Sequence, residues 1–379
     1  MRILFLSVLC VYCHIARAQH TVRIEVTVPS TSHDSVFIAG DFNGWNPSST
    51  QLQKNTDGKF IYENANVPSG AFSFKFTKGS WPKVETTTDG SDVQNRQVVI
   101  SSDTTIPLSV VAWRENFTPI PKRITATKQV SLMDSAFFMQ DLQRYRKIWV
   151  YLPPGYHQSK KSYPVIYMQD GQNLFDESQA GFGEWGIDET LDSLAKAGEP
   201  SAIVIGIENG PKRLNEYNPF YFERAGEGEG DAYLNFIIKD LKPAIDKKFR
   251  TLKTKENTII AGSSMGGLIS FYAALKYHNV FGRAGVFSPA FWTAPAIVSL
   301  TDSLAPMSKG MYFFYMGELE GKEMAKKMED VIEHLGKSSN ALIYNITDPE
   351  GKHNETSWRK WFAEFFLWIT GNGLNHIIR

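Results

Sequence analysis

Residues 258–267 read Thr-Ile-Ile-Ala-Gly-Ser-Ser-Met-Gly-Gly. This stretch restricts the fold more than any other in the chain. A short β-branched and apolar run is followed by Gly262-Ser263-Ser264-Met265-Gly266 and then by the helix-like Leu-Ile-Ser-Phe-Tyr-Ala-Ala-Leu-Lys-Tyr. Buried strand, tight Gly-x-Ser-x-Gly turn and helix together describe a serine elbow. Its spacing has a steric cause. The central serine sits on a strained strand-to-helix turn that pushes its hydroxyl out of the sheet. Glycines two residues before and after it remove Cβ atoms that would collide there. The first backbone N–H of the helix then faces any negative charge that develops beside the serine.

The elbow needs a parallel sheet around it, and the carboxy-terminal two thirds of the chain reads that way. Arg-Lys-Ile-Trp-Val-Tyr-Leu-Pro-Pro-Gly-Tyr, Pro-Val-Ile-Tyr-Met-Gln-Asp-Gly-Gln-Asn, Ala-Ile-Val-Ile-Gly-Ile-Glu-Asn, the elbow strand, Arg-Ala-Gly-Val-Phe-Ser-Pro, Gly-Met-Tyr-Phe-Phe-Tyr-Met-Gly-Glu and Ala-Leu-Ile-Tyr-Asn-Ile-Thr are strand-like. Helical stretches lie between them: Ile187 to Gly198, Ala232 to Phe249 with a bend at Pro243, the helix after the elbow, Glu323 to Gly336, and a last helix from Thr356. Continuous apolar strands alternating with helices imply a parallel sheet covered on both faces.

Residues 19–113 differ in kind. Alternation in Thr-Val-Arg-Ile-Glu-Val-Thr-Val, Ser-Val-Phe-Ile-Ala-Gly and Ala-Phe-Ser-Phe-Lys-Phe-Thr, broken by turns such as Asp57-Gly58 and Asp89-Gly90, predicts a small β-sandwich. Residues 114–130, with Pro119 and Pro121, read as a linker, and 131–379 as the second domain. The expected fold class is α/β: an α/β-hydrolase fold preceded by a small all-β immunoglobulin-like sandwich.

Residues 1–18 carry Arg2, an apolar run from Ile3 to Tyr12, and Ala16-Arg17-Ala18 before Gln19. That is the pattern of a secretory signal peptide, with an apolar run too short to span a bilayer. The expected location is secreted or periplasmic, with no membrane span. Cys10 and Cys13 both fall inside this segment, so the remainder has no disulfide and no thiol nucleophile. The chain holds 40 Lys and Arg against 40 Asp and Glu, which gives no basic surface for nucleic acid. Sequons stand at Asn116, Asn345 and Asn354. A glycan on Asn354 would crowd His353, so a non-glycosylating host is the simpler reading.

In a hydrolase of this fold the catalytic residues follow the chain order serine, acid, histidine. Four histidines follow Ser264: His278, His334, His353 and His376. His278 ends the post-elbow helix, His334 lies late in a helix and His376 is in the tail. His353 occupies the loop between the last strand and the last helix, where a general base must stand. The acid belongs after Met-Tyr-Phe-Phe-Tyr-Met, in Gly317-Glu318-Leu319-Glu320-Gly321. Glu320, between flexible turn positions, is favoured over the alternative Glu318. Its work is to hold one imidazole tautomer and stabilise the imidazolium. The oxyanion donors expected are the N–H of Met265 and one from Gly171 or Gln172. Trp292 and Tyr217 are candidates to line a substrate pocket, whereas Trp185 and Trp358 read as core. Arg213 reads as a surface ion pair with Glu216. No cofactor or metal is needed.

Together, Tyr163 to Asp176, Gly183 to Leu191, Ile203 to Tyr217, Ala261 to Gly267, Phe287 to Trp292 and Glu350 to Trp358 resemble a family of α/β-hydrolase esterases. It includes the feruloyl and acetyl-xylan esterases of carbohydrate esterase family one, siderophore (enterochelin) esterases and S-formylglutathione hydrolase. The resemblance covers about residues 135–372. It implies the same roles for Ser264 and His353, and a G-x-x-[DE] acid motif that Gly317 to Glu320 matches. Many feruloyl esterases of this type carry a His-Gly oxyanion loop, and here Asp170-Gly171 stands instead.

Val36 to Pro47 and Val67 to Trp81 resemble the glycogen- and starch-binding modules of branching enzymes and of the AMP-activated kinase β subunit. That resemblance implies sugar stacking on Trp45 and Trp81, with Lys75 and Asn95 as polar partners. Against the kinase pattern, the segment between Lys75 and Trp81 is one residue shorter, and Pro82 adjoins the second tryptophan. The expected partner is an ester substrate borne by a polysaccharide. The leading function is a secreted serine carboxylesterase acting on feruloyl or acetyl esters. The alternatives are a periplasmic siderophore esterase and, in another class, a non-catalytic glycan-binding protein.

Overall fold

The computed structural model describes residues 19–29, 35–118 and 122–371. The proposed signal segment, with Cys10 and Cys13, and the tail containing His376 lie outside the described residues. The chain divides into two compact units, 1–120 and 121–379.

In the first unit, Gln19–Thr27 pairs antiparallel with Phe60–Pro68 and parallel with Thr104–Ser109, and Gln53–Lys54 joins the outer edge of Phe60–Pro68. A second sheet places Gly70–Thr77 between Phe37–Gly40 and Arg96–Ile100. The period-2 pattern sends Val22, Ile24 and Val26 from one sheet, and Phe72, Phe74 and Phe76 from the other, into one core closed by Trp113.

The second unit holds an eight-stranded sheet: β1 Val130–Met139, β2 Arg144–Tyr151, β3 Val165–Gln169, β4 Ile203–Ile207, β5 Thr258–Ser263, β6 Arg283–Phe287, β7 Met311–Gly317 and β8 Leu342–Asp348. Their spatial order is β1-β2-β4-β3-β5-β6-β7-β8. β2 runs antiparallel to both its neighbours, and all remaining pairs are parallel. The principal helices are α1 Ile187–Lys196, α2 Arg213–Glu216, α3 Gly230–Asn235, α4 Lys242–Lys248, α5 Met265–Lys276, α6 Ile297–Leu304, α7 Lys322–Ser338 and α8 Glu355–Thr370. Among the described residues, no helix is long and apolar enough to cross a membrane.

Alternation along each central strand divides the core in two. Val165 and Tyr167 of β3, with Tyr312 and Phe314 of β7, pack under α3 to α7. Ile166 and Met168, with Phe313 and Tyr315, pack under α1 and α8. Each such side chain removed from water contributes about 1.5–3 kcal/mol. Since both faces are covered, these strands are apolar along nearly their whole length, as their sequence reads.

Three features depart from the sequence reading. β1 is an edge strand whose register slips twice, between Leu132 and Asp134 and between Asp134 and Phe137. Those bulges erase the alternation that would have marked it as a strand. The bend expected at Pro243 is spread over a π-helical segment, Phe236–Leu241, between α3 and α4. A wider turn there spares the carbonyl four residues before proline from collision with its ring. The last part of the stretch read as linker is fastened to the second unit: Thr125 Oγ1 donates to Glu184 (2.8 Å) and the Thr127 N–H to Asp188 (2.6 Å).

Candidate active site

Ser264 caps α5 at the end of β5, with φ 58° and ψ −120°. A non-glycine residue there is strained, and the strain is held from outside. The Ser264 N–H donates to the Phe287 carbonyl (2.9 Å), and its own carbonyl accepts from Ala290 N–H (3.0 Å) and Leu268 N–H (3.0 Å). The elbow is thus tied to β6 on one side and to its own helix on the other. Every residue of α5 from Met265 to Leu275 is buried.

Beyond β7 the chain makes a single turn, Glu318–Glu320. Glu318 is exposed. The Glu320 side chain points inward, 0% exposed, and its Oε2 lies 2.6 Å from His353 Nδ1. The other oxygen, Oε1, accepts from the Gly317 N–H (2.9 Å) and the Ser288 hydroxyl (2.6 Å). Ser288 in turn accepts from Trp358 Nε1 (2.8 Å), and the His353 ring packs edge-on against Trp358 at 5.2 Å. A carboxylate accepting three bonds in a dry site is fixed in place. The loops that carry Glu320 and His353 meet through glycines: a Cβ on Gly317 would lie 2.3 Å from the Gly351 carbonyl carbon. Any side chain at that point would drive the two loops apart. Of the two glutamates weighed from sequence, the structure brings Glu320 to His353 and leaves Glu318 in solvent. His278 lies in the turn that follows α5, and His334 sits on α7 beside Asp302.

Gly171 and Gln172 form the turn Gly171–Asn173 after β3, and Met265 opens α5. A Cβ on Gly171 would stand 2.6 Å from Gly206 C and 2.8 Å from Ile207 N, so this loop rests directly on the backbone of β4. Ahead of it, Asp170 adopts the left-handed conformation, with φ 57° and ψ 47°. Its carboxylate accepts a two-pronged bond from Arg213, Nε to Oδ1 and Nη2 to Oδ2, both 2.8 Å, and a third bond from Asn209 Nδ2 (2.7 Å). Burial works against the Arg213 charge, but the adjoining Asp170 carboxylate outweighs it and holds the guanidinium above its ordinary pKa.

Two expectations are corrected. Arg213 pairs with Asp170 and not with Glu216. Although i,i+3 on the short helix α2, the two side chains take other partners: Glu216 is fully buried and answers Arg144 Nη1 (2.7 Å) and Arg146 from β2. Tyr217 does not line an open pocket. It is 0% exposed, and its hydroxyl accepts from the Asp170 N–H (3.4 Å), so its bulk is spent in the core beneath the loop. Trp292 is 37% exposed, beside Phe222 and under the Arg224 guanidinium. Trp185 and Trp358 stack on each other in the core.

Sequence reasoning missed Ser288, Trp358 and the Asp170–Arg213 pair as partners of the site. Ser288 in Phe287-Ser288-Pro289 has φ 43° and is completely buried, features that only its tertiary contacts explain. Nearby, burial pushes the Glu355 carboxyl up to about 7. At the start of α1, burial, opposed by the Thr127 N–H and reinforced by Glu189, pushes Asp188 up to about 7.

In the first unit Trp45 and Trp81 lie together, with ring centroids 6.3 Å apart and planes 30° from parallel. Lys75 is half-buried on the central strand of its sheet, and burial lowers its pKa. Asn95 is exposed in the loop before Arg96–Ile100.

A family model described as "Putative esterase" matches residues 139–369. The Bacillus subtilis (strain 168) protein described as "Uncharacterized protein YbbA" is 28% identical over 243 residues, 60% of this chain and 93% of that protein. An "Endo-1,4-beta-xylanase/feruloyl esterase" of Xylanibacter ruminicola is 25% identical over 234 residues, 61% of this chain, and the match spans only 30% of that longer protein. Among solved structures, the enterobactin esterase FES of Shigella flexneri aligns with a TM-score of 0.53 at 13% identity, over 88% of each chain. At that identity the likeness concerns the fold.

Proposed function

Because the chain belongs to the "Putative esterase" family and is by that membership an ester hydrolase, we propose that it is an exported serine carboxylesterase acting on feruloyl or acetyl esters carried by polysaccharide. The observation that carries the serine mechanism is the buried Glu320 carboxylate held 2.6 Å from His353 Nδ1, at the same edge of the sheet as the strained Ser264 elbow.

In this reading Ser264 Oγ attacks the ester carbonyl while His353 Nε2 takes its proton. Glu320 keeps the Nδ1 proton in place and stabilises the imidazolium. The Met265 N–H and an N–H of Gly171 or Gln172 receive the oxyanion, each donor worth about 2.7–4 kcal/mol of transition-state stabilisation. His353 then gives its proton to the leaving alcohol, and water, activated by the same imidazole, hydrolyses the acyl-enzyme. Exposed Trp292 offers a surface for the acyl group. A polysaccharide substrate draws support from the Xylanibacter relative's printed activity and from the paired Trp45 and Trp81, whose rings present a stacking surface for sugars.

A second reading, hydrolysis of a siderophore trilactone, rests on the alignment with FES over 88% of both chains. The test is a panel of p-nitrophenyl acetate, feruloyl and acetyl oligosaccharides, and a ferric triscatecholate trilactone, with wild type and Ser264→Ala. Turnover of the sugar esters that Ser264→Ala abolishes is expected. A preference for the trilactone moves the assignment to the second reading. Equal inertness of both proteins on every ester, with polysaccharide still bound, points to a glycan-binding protein.

A further inference from the structure

The residue before the oxyanion turn is an aspartate, and its charge stands in a damaging place. Asp170 is 7% exposed. Its Oδ2 lies 3.4 Å from where a Cβ on Gly266 would be, so the carboxylate borders the first turn of α5, the helix that Met265 opens. On the other side it adjoins Gly171. Asp170 is therefore the chain neighbour of one assigned oxyanion donor and borders the helix turn that carries the other. A lone carboxylate there would repel the negative charge that the reaction builds on the substrate oxygen, and in a dry site that repulsion is strong.

The structure answers this charge with Arg213. The guanidinium meets both carboxylate oxygens in a two-pronged bond and lies over the Tyr217 ring at 5.1 Å. Its own helix is anchored from behind by Glu216, which is bonded to Arg144 and Arg146. Asn209 completes the clamp, its Nδ2 donating to Asp170 Oδ1 and its N–H to Gln172 Oε1 (3.2 Å). Left-handed backbone at Asp170 is tolerated because these bonds and the Tyr217 hydroxyl hold it.

We infer that Arg213 is a positioning residue for the ester hydrolysis: through Asp170 it fixes the Gly171–Gln172 turn and cancels a carboxylate that would otherwise oppose the oxyanion. The inference rests on the serine-esterase reading above. It accounts for how an Asp-Gly loop serves where related feruloyl esterases carry His-Gly.

The experiment is a charge cycle on p-nitrophenyl acetate with the full chain: wild type, Arg213→Gln, Arg213→Lys, Asp170→Asn with Arg213→Gln, and Ser264→Ala. For each variant kcat and KM are measured beside a thermal melt. Arg213→Gln is expected to lower kcat about 10²-fold, the scale of losing one oxyanion donor, with KM within about threefold. Adding Asp170→Asn is expected to restore at least tenfold of that loss, because the lone charge is gone. Arg213→Lys, which keeps the charge but not the fork, should fall between wild type and Arg213→Gln. A purely structural role would show its loss and its rescue in the thermal melt and leave the kcat of the folded variants near wild type. Should Arg213→Gln fail to fold, the folded double variant is expected to keep at least a tenth of wild-type kcat, and any larger loss overturns the inference. So does a double variant no better than Arg213→Gln. In both cases an inert Ser264→Ala leaves the serine reading standing, whereas full activity in Ser264→Ala sinks that reading and this inference with it.

Discussion

Replacing Glu320 by glutamine changes one atom in a place where no water can compensate. The side chain is 0% exposed and its two oxygens have different duties. Oε1 accepts from the Gly317 N–H and the Ser288 hydroxyl, and the Ser288 oxygen is itself engaged by Trp358 Nε1. Two donors converge on Oε1, so the glutamine must keep its carbonyl oxygen there. Its NH2 then takes the place of Oε2, facing His353 Nδ1 at 2.6 Å. A donor at that point turns Nδ1 into an acceptor and moves the ring proton to Nε2. The imidazole is then in the wrong tautomer to accept a proton from Ser264. The equivalent change in serine proteases costs about 10⁴ in kcat, which is about 5 kcal/mol at 1.36 kcal/mol per decade. Glu320→Gln is accordingly expected to lose 10³- to 10⁴-fold in kcat on p-nitrophenyl acetate with KM little changed, and to remain folded in a thermal melt. Glu318→Gln, on the exposed side of the same turn, should stay within about threefold of wild type, as surface changes do. A folded Glu320→Gln retaining more than a tenth of kcat would refute the tautomer reasoning, and a comparable loss in Glu318→Gln would return the acid to that residue.

Other outcomes follow from the same geometry. Gly171→Ala puts a Cβ 2.6 Å from Gly206 C in the next strand, and the turn must move away from β4. One oxyanion donor is then displaced, and a kcat loss of about 10²–10³-fold is expected, with activity within threefold of wild type as the contrary result. Asp188 and Glu355 are each held up to about 7, above their ordinary values of 3.8 and 4.5. The folded state therefore keeps protons that the unfolded chain has lost between about pH 4 and 7, and stability declines as pH rises through that window, on the order of 3 kcal/mol per group. Denaturation melts at pH 5 and 7.5 check the sign, and Asp188→Asn with Glu355→Gln should flatten the slope; an unaltered slope in that variant discards both groups as its source. Trp81→Ala, which removes half of the ring pair with Trp45, is expected to weaken retention on starch, glycogen or xylan by roughly 3–10-fold. Unchanged retention on all three polymers would remove the stacking platform.

Much of this protein is written locally. The Gly-x-Ser-x-Gly elbow, the apolar strands from β2 to β8 and the histidine loop after β8 are readable because their causes span only a few residues: a steric demand at one turn, a strand covered on both faces, a fixed chain order around a sheet. The sequence reduces the acid to two glutamates two residues apart. β1 escaped because two bulges break its period.

What tertiary structure decided is which charged and polar groups meet. Glu320 rather than Glu318 faces His353 because Gly317 and Gly351 bring two loops together and Ser288, from a third, fixes the carboxylate. Arg213 answers Asp170, 43 positions earlier, and Tyr217 is drawn into the core beneath them. No local pattern encodes such partners, since each arises only when loops from separate strands close over the same sheet edge. The sequence by itself determined that a serine would stand on a strained turn above a parallel sheet. The folded chain determined which carboxylate meets His353 and which cation balances Asp170, because an ion pair depends on distance in space and not on distance along the chain.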